Sequence, residues 1–293
     1  MQPIAVEVVR GHLVEAIHRV HAVAVRDGEV VAAAGDTGLL TYFRSSAKPL
    51  QALPLVRARP DLDDAQIAIA CASHLARPEQ LERVRDLLAA ADASEEDLEC
   101  GREPTRLAHN CSGKHAGMLL LCRARGWELH GYRLLDHLCQ QAMLQEVAVA
   151  AEVEPGTIAT AVDGCGVVTF ALSLVRMAHA FGRFPHLEGG DRVAGAMRAH
   201  PQLVRGPGAP DTMLMELLPG WAAKGGAEGL LCAASGDGLG VVLKAEDGAA
   251  RALRPALAVL LGRLGLESGE FGRVPLTNSR GEVVGELRGA SLG

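Results

Sequence analysis

The stretch Arg44-Ser-Ser-Ala-Lys-Pro-Leu-Gln51 lies where a strand-like pattern gives way to a helical one. Residues 1–43 are rich in β-branched side chains, with the turn signal Arg26-Asp27-Gly28 between two predicted strands. From residue 45 to about 150, apolar residues recur at helical spacing. Because Pro49 has no N–H group and is tolerated only in a first turn, the first helix is expected to begin close to Ser45.

Strand patterns return after residue 220 and suggest how the two chain ends are related. These strands are predicted at Leu230–Ala234, Gly240–Leu243 and Gly281–Leu287. If they pair with the N-terminal strands, the fold is α+β, with an antiparallel sheet built from both chain ends and an inserted helical lobe. We expect residues 1–293 to form one unit with two packed lobes. The sheet lobe covers about 1–43 and 220–293, and the mainly helical lobe covers about 44–219.

Two segments inside the predicted helical lobe have their own patterns. Thr157–Val162 is predicted to be a strand, and Thr169–Phe181 is predicted to be a buried helix. A Gly/Pro cluster at 205–210 is typical of a loop.

The composition excludes several classes of protein. The 293 residues are 48% hydrophobic and 22% charged, which is ordinary for a globular chain. A net charge of −6 and 3% aromatic residues argue against nucleic-acid binding. The sequence contains no uncharged run of about 18 apolar residues, so no membrane span is predicted. We therefore expect a small-molecule partner. Because the sequence lacks the pattern of a signal peptide, we also expect a cytoplasmic protein whose cysteines are reduced.

Ser45 and Lys48 are three positions apart at the predicted helix start, so their side chains share one face. A serine hydroxyl is a poor nucleophile until a base removes its proton, and a desolvated neutral lysine can be that base. The helix dipole would place its positive end near Ser45. The alternatives are a solvated helix start, or Ser46 as the capping or nucleophilic residue.

Cysteines in polar, glycine-punctuated surroundings form a second candidate site. His109-Asn-Cys-Ser-Gly-Lys-His-Ala-Gly117 precedes an apolar helix, and Asp163-Gly-Cys-Gly166 follows a predicted strand. One interpretation is nucleophilic catalysis by Cys111 with His115. Another is a metal site that uses Cys111 and Cys165, whose sulfur atoms suit zinc. The third is that these cysteines are simply small buried hydrophobes.

Two further segments carry a serine or a lysine in motif-like surroundings. Ala70-Cys-Ala-Ser-His74 ends a predicted helix, where Ser73 could also be a cap. Lys224 precedes flexible backbone and a strand, so it could orient a substrate carboxylate or serve a second serine, or be an exposed turn residue. Asp211 and Thr212, before the next short helix, are interpreted as a helix cap.

Taken together, these blocks resemble the L-asparaginase II family of the Rhizobium type (class 3), over nearly the whole chain. The blocks are 44–51, 71–74, 109–118, 163–166 and 224–229. The chain departs from the family pattern at Leu75-Ala-Arg77, Gly208-Ala-Pro210 and Val168, which affects substrate contacts more than the reaction class.

The resemblance implies a fold like that of serine β-lactamases, penicillin-binding proteins and serine glutaminases. It implies hydrolysis of L-asparagine to L-aspartate and ammonia through a Ser–Lys acyl-enzyme. The implied catalytic residues are Ser45, Lys48, Ser73 and Lys224. The residues expected to bind substrate are Arg44, His115 and Asp163. The implied metal ligands are Cys111, Lys114 and Cys165.

The metal implied by that ligand set is zinc, for which we expect a role in substrate positioning, and the family implies a homodimer. No organic cofactor is expected. The alternatives are a serine glutaminase or a β-lactam-binding hydrolase of the same fold, or a non-catalytic ligand- or metal-binding relative.

Overall fold

The computed structural model describes residues 1–290, and its strands and helices alternate in long blocks. The strands are β1 (Ile4–Arg10), β2 (Leu13–Arg26), β3 (Glu29–Ala34), β4 (Leu40–Tyr42), β5 (Ala159–Val162), β6 (Val168–Ser173), β7 (Ala222–Gly226), β8 (Leu230–Ala234), β9 (Gly240–Ala245), β10 (Val274–Thr277) and β11 (Val283–Ala290). The helices are α1 (Lys48–Gln51), α2 (Leu53–Ala58), α3 (Asp64–Ala70), α4 (Pro78–Ala90), α5 (Ser112–Arg125), α6 (Leu138–Ala151), α7 (Leu174–Arg183), α8 (Gly190–Ala199), α9 (Pro201–Val204), α10 (Pro210–Leu217) and α11 (Leu253–Arg263).

The main sheet joins the two ends of the chain. Its strand order is β10-β11-β1-β2-β9-β8-β7, with β3 paired to β2. β1 pairs antiparallel with both β2 and β11, so that Val8 lies opposite Leu287. Along β1 the buried residues alternate with half-buried ones, as expected for a strand packed on one face. The predicted α+β fold with an antiparallel sheet from both chain ends is confirmed, whereas the lobe boundaries stay a prediction.

A second, three-stranded sheet in the order β4-β6-β5 corrects one sequence prediction. Thr169–Phe181 was expected to be one buried helix, but β6 covers its first part and α7 begins only at Leu174. The residues of β6 are almost all buried, and periodicity cannot distinguish a continuous apolar strand from a buried helix. Ser173 ends the strand and caps α7, because its hydroxyl accepts the Arg176 N–H.

Close packing of α5 on α3 brings two distant parts of the chain together. Gly113 lies so close to α3 that a Cβ atom there would be 2.2 Å from the Ile69 carbonyl oxygen. One turn later, a Cβ atom on Gly117 would lie 3.1 Å from the Ala70 Cβ. The beginning of α5 is therefore held beside the residues that follow α3.

Strand β7, at the edge of the main sheet, contacts the segment that leads into α1. This segment is a 3₁₀ turn at Arg44–Ala47. The Ser46 hydroxyl donates a hydrogen bond to the Lys224 carbonyl oxygen at 2.9 Å. Gly226 permits this approach, because a Cβ atom there would lie 2.9 Å from Ser46 Oγ. Within residues 1–290, no helix has the length and apolar character needed to cross a membrane.

Candidate active site

The centre of the site is the amine of Lys48, which begins α1 with Pro49 in the first turn, as the sequence predicts. Lys48 is only 1% exposed. Its Nζ donates to Ser73 Oγ at 2.8 Å, to Cys111 Sγ at 3.3 Å and to the Ala72 carbonyl oxygen. Burial lowers the pKa of Lys48, although the neighbouring Cys111 partly opposes this effect. The local environment therefore favours the neutral amine that a general base requires.

The three hydrogen-bond neighbours of the Lys48 amine differ in whether they can donate a proton to it. A neutral lysine amine has two N–H donors and one lone pair. The carbonyl oxygen of Ala72 can only accept, whereas the Ser73 hydroxyl and the Cys111 thiol can also donate. When Lys48 is neutral, one of these two groups can therefore donate its proton to the amine.

Ser45 is half-buried in the 3₁₀ turn, on the more exposed side of the site. In the part of the chain that the structure describes, its hydroxyl is not among the hydrogen-bond partners of Lys48 Nζ. Ser46, the alternative nucleophile, is fully buried and its hydroxyl is bonded to the Lys224 carbonyl oxygen. Of the two adjacent serines, Ser45 is the more exposed.

Ser73 and Lys224 are both buried near Lys48, but their contacts differ from a simple pair. The Ser73 hydroxyl is bonded to Lys48, and its N–H donates to the Val204 carbonyl oxygen at 2.8 Å. Lys224 Nζ donates to the Gly225 carbonyl oxygen at 2.8 Å. A Ser73–Lys224 bond is not among the hydrogen bonds of residues 1–290.

Asp211 is the residue that the sequence interpretation missed. The cap position of α10 is held by Ala209, so the helix-cap interpretation of Asp211 is wrong. The Asp211 carboxylate is buried, accepts the Gly225 N–H at 2.9 Å and lies 3.3 Å from Lys224 Nζ. One signal was available, since a buried lysine that stays charged needs an anionic partner.

Burial and charge act in opposite directions on the Asp211–Lys224 pair. Burial lowers the pKa of Lys224 to about 8, although Asp211 raises it. Burial alone would raise the pKa of Asp211, but Lys224 and the Gly225 N–H hold it below its ordinary value. Asp211 is therefore ionised near neutral pH, while Lys224 can gain or lose a proton close to that range.

The predicted metal ligands come together at the beginning of α5. Lys114 Nζ donates to Cys165 Sγ at 3.1 Å. A hydrogen bond with Cys111, and then the charge of Lys114, lower the pKa of the Cys165 thiol to about 4 against the opposing effect of burial. Cys111 itself contacts Lys48, so the amine that starts α1 and the two thiols belong to one cluster.

This cluster offers a metal ion two sulfur atoms and one amine. Among residues 1–290, no three His, Cys, Asp or Glu side chains are placed to hold a metal. The two sulfur atoms are ligands that suit zinc, whereas the Lys114 amine is an unusual one. Burial lowers the pKa of Lys114, but Cys165, Cys111 and Asp163 together raise it above its ordinary value. A metal would therefore have to displace a proton from this amine.

Arg44 and Asp163 form an ion pair beside Ser45. Arg44 Nε donates to Asp163 Oδ1 at 2.6 Å, and the same oxygen accepts the Gly164 N–H at 2.7 Å. Burial opposes ionisation of Asp163, but Lys114 and Arg44 lower its pKa below the ordinary value. Arg44 has a φ of +50°, a left-handed conformation that is unfavourable for a non-glycine residue.

His115 is fully buried behind the thiols. Its Nδ1 lies 2.6 Å from the Tyr132 hydroxyl, which itself accepts the Glu99 N–H at 2.9 Å. The Tyr132 proton therefore points to Nδ1, and Nε2 carries the ring hydrogen. Burial lowers the pKa of His115 far below its usual range. A Cys111–His115 bond is not among those of the described residues, in which Nε2 has no partner.

The site therefore combines hydroxyl groups, buried amines, two thiols and a charged pair. A family model described as L-asparaginase II matches residues 6–289. The chain belongs to the L-asparaginase II family, and it is accordingly an amidohydrolase with a small-molecule substrate.

Two solved structures resemble the chain. A putative beta-lactamase from Bacteroides dorei DSM 17855 is 13% identical, with a TM-score of 0.45, over 83% of this chain and 93% of that one. A beta-lactamase from Mycobacterium bovis is 16% identical, with a TM-score of 0.36, over 84% of this chain and 94% of that one. No curated protein gave a significant match.

Proposed function

We propose that the protein hydrolyses the side-chain amide of L-asparagine to L-aspartate and ammonia through an acyl-enzyme on Ser45. The observation that carries this proposal is the Lys48 amine, which is buried, has a lowered pKa, is bonded to the Ser73 hydroxyl and lies three positions after the half-buried Ser45. Membership of the L-asparaginase II family supports the amide substrate.

In the first step, neutral Lys48 takes the proton from the Ser45 hydroxyl, and Ser45 Oγ attacks the amide carbon. This step requires Lys48 Nζ to exchange one of its present partners for Ser45 Oγ. The exchange is local, because Ser45 and Lys48 belong to the same turn of chain. Backbone N–H groups near the helix start would stabilise the oxyanion, each good donor contributing roughly 3–4 kcal/mol.

In the second step, the carbon–nitrogen bond breaks and the leaving nitrogen takes a proton to become ammonia. Ser73 and Lys224 are proposed to deliver that proton. Both are buried, and Ser73 is bonded to Lys48, the amine that holds the proton taken from Ser45. Water then attacks the ester, gives a proton back to Lys224, and releases aspartate while Lys48 returns its proton to Ser45.

Recognition of the amino acid is assigned to Arg44 and Asp163. Free asparagine carries one carboxylate and one ammonium group, which need a cation and an anion as partners. These two side chains are bonded to each other at 2.6 Å, and the Arg44 side chain is 27% exposed. We propose that the zwitterion replaces this internal pair, its carboxylate on Arg44 and its ammonium group on Asp163.

We propose zinc as the metal of the thiol cluster, with Cys111, Cys165 and Lys114 as ligands. When bound there, zinc supplies a fixed positive charge that orients the substrate. The low pKa of Cys165 favours the thiolate that zinc needs. Lys114 must lose its proton to bind, so the affinity for zinc is expected to increase with pH.

Ser73 is a second candidate for the nucleophile. It is the serine whose hydroxyl is bonded to the Lys48 amine, at 2.8 Å. Ser73 is only 1% exposed, however, so a substrate could reach its hydroxyl only after the site opens. We therefore assign the nucleophile to Ser45 and keep Ser73 as the alternative.

The proposal is tested by measuring ammonia release from asparagine and glutamine, and nitrocefin hydrolysis, with the purified protein. Turnover of asparagine above the other two supports the proposal. A preference for glutamine would indicate a glutaminase, and a preference for nitrocefin a β-lactam hydrolase. Bound metal without any turnover would indicate a non-catalytic relative.

Ser46→Ala is the matched control for Ser45→Ala in this assay. Ser45→Ala should abolish ammonia release, whereas Ser46→Ala loses only a structural hydrogen bond and should keep most of the activity.

We also propose that the protein is a homodimer, as the family resemblance implies. Light scattering on the purified protein tests this.

A further inference from the structure

The amine of Lys224 is held by two acceptors that come from different parts of the chain. The Gly225 carbonyl oxygen, at 2.8 Å, belongs to the same strand. Asp211 Oδ2, at 3.3 Å, comes from α10 and is also bonded to the Gly225 N–H. Lys224 and Asp211 are 0% and 2% exposed in their side chains, so this ion pair is shielded from water.

The other ionisable groups around this amine do not supply a negative charge. Lys48 from α1 and Arg205 after α9 both lower the pKa of Lys224 by repulsion. Cys71, which follows α3, has its pKa raised to about 12 by burial, and burial also raises that of Cys232 on β8. Both thiols are therefore neutral. The positive form of Lys224 depends on the carboxylate of Asp211.

We propose that Asp211 is a positioning residue for catalysis, which holds the Lys224 amine in place and keeps it protonated for transfer to the leaving nitrogen. This inference rests on the function proposed above. Two N–H groups of the ammonium are directed to Asp211 and Gly225, which leaves the third free to donate.

The proton balance of this role is simple. When the carbon–nitrogen bond breaks, the free N–H of the Lys224 ammonium must first reach the Ser73 hydroxyl, and one proton then passes by way of this hydroxyl to the nitrogen that leaves as ammonia. Lys224 is then a neutral amine. It recovers a proton from the water that attacks the ester, and no external acid is consumed.

The role has a pH signature with a defined sign. The active form of Lys224 is protonated, so activity should fall as the pH rises through its pKa, which is about 8. Asp211 raises this pKa. Asp211→Asn removes the negative charge but keeps the size of the side chain and an acceptor oxygen. The alkaline limb of the kcat/KM profile should therefore move to lower pH by about one unit or more, the usual effect of an adjacent opposite charge.

The experiment measures ammonia release from asparagine between pH 5 and 10 for the wild-type protein and three variants. Asp211→Asn should show the shifted alkaline limb. Asp211→Glu keeps the charge and should restore the limb towards its wild-type position. Thr212→Val is the control, because Thr212 is buried on the same turn and bonds the Gly206 N–H and the Pro201 carbonyl oxygen. It should lower the stability and leave the profile in place.

An Asp211→Asn variant with reduced activity but an unchanged profile would overturn the proposal, since a merely structural role predicts that result. If this variant does not fold, Asp211→Ser, which also removes the charge, takes its place: an alkaline limb at lower pH supports the proposal, and a limb at the wild-type pH contradicts it. A wild-type protein that releases no ammonia would refute the proposed function itself. A normal wild-type profile shared by the Asn variant would refute only the role of Asp211.

Discussion

Replacement of Lys224 by methionine should change how the stability of the protein depends on pH. In the folded protein, burial lowers the pKa of Lys224 from its ordinary 10.5 to about 8. Below pH 8 the folded and unfolded chains both hold this proton, and above pH 10.5 both have lost it. Between these values the unfolded chain binds more protons, so the contribution of Lys224 to the free energy of unfolding rises with pH.

The size of the effect follows from the same two pKa values. Each unit corresponds to about 1.4 kcal/mol, so Lys224 should add about 3 kcal/mol between pH 8 and 10.5. The Lys224→Met variant lacks this group and should lack this rise. It also leaves the Asp211 carboxylate buried without its partner, which lowers its stability at every pH in this range but does not change the slope.

The assay is urea unfolding at several pH values, followed by tryptophan fluorescence, to which Trp127 and the buried Trp221 contribute. The stability difference between wild type and Lys224→Met should grow in favour of the wild type as the pH rises. Lys244→Met is the control, because Lys244 lies on β9 of the same sheet and is only half-buried. It should give a smaller change. Wild-type and Lys224→Met curves that run parallel from pH 8 to 10.5 would refute the reasoning.

Three further substitutions test separate parts of the site. Cys165→Ser should lose bound zinc and raise KM more than it lowers kcat, and full zinc content in a metal analysis would reject Cys165 as a ligand. Gly113→Ala forces a Cβ atom to within 2.2 Å of the Ile69 carbonyl oxygen, so denaturant unfolding should show a loss of about 1–3 kcal/mol; an unchanged midpoint would contradict this packing. Asp163→Asn removes the charge that faces Arg44 and should raise the KM for asparagine about tenfold or more, whereas an unchanged KM would exclude it from substrate binding.

Part of the sheet could be predicted from the sequence because some of its strands carry a periodic signal, although β8 and β9 are buried almost throughout and do not. In β1, buried residues alternate with half-buried ones, so one face is marked as core before any partner is known. The strand at Val168–Ser173 could not be recognised in the same way, because both of its faces are covered and the alternation disappears. Its burial depends on elements that are distant in the chain.

The site residues that lie close together in sequence could be predicted, whereas the contacts between distant parts of the chain could not. Ser45 and Lys48 are recognisable from their spacing and from Pro49, because one turn contains them all. The contacts of Lys48 with Ser73 and Cys111 cross 25 and 63 positions of sequence, and spacing alone cannot reveal them.

Asp211 was missed for a related reason. An aspartate near the beginning of a helix has a sufficient local explanation as a cap. Its actual partner, Lys224, lies 13 positions away on a strand. Only the requirement that a buried amine have a counter-charge connects the two residues.

The most direct test of the mechanism is to find which hydroxyl carries the acyl group. Purified protein is mixed with L-asparagine, quenched in acid at short times, digested and sequenced by mass spectrometry. The peptide containing Ser45 should carry an aspartyl ester that is absent from the Ser45→Ala variant. An ester on Ser73, or ammonia release by Ser45→Ala at the wild-type rate, would show that position 45 is not where the amide bond is attacked.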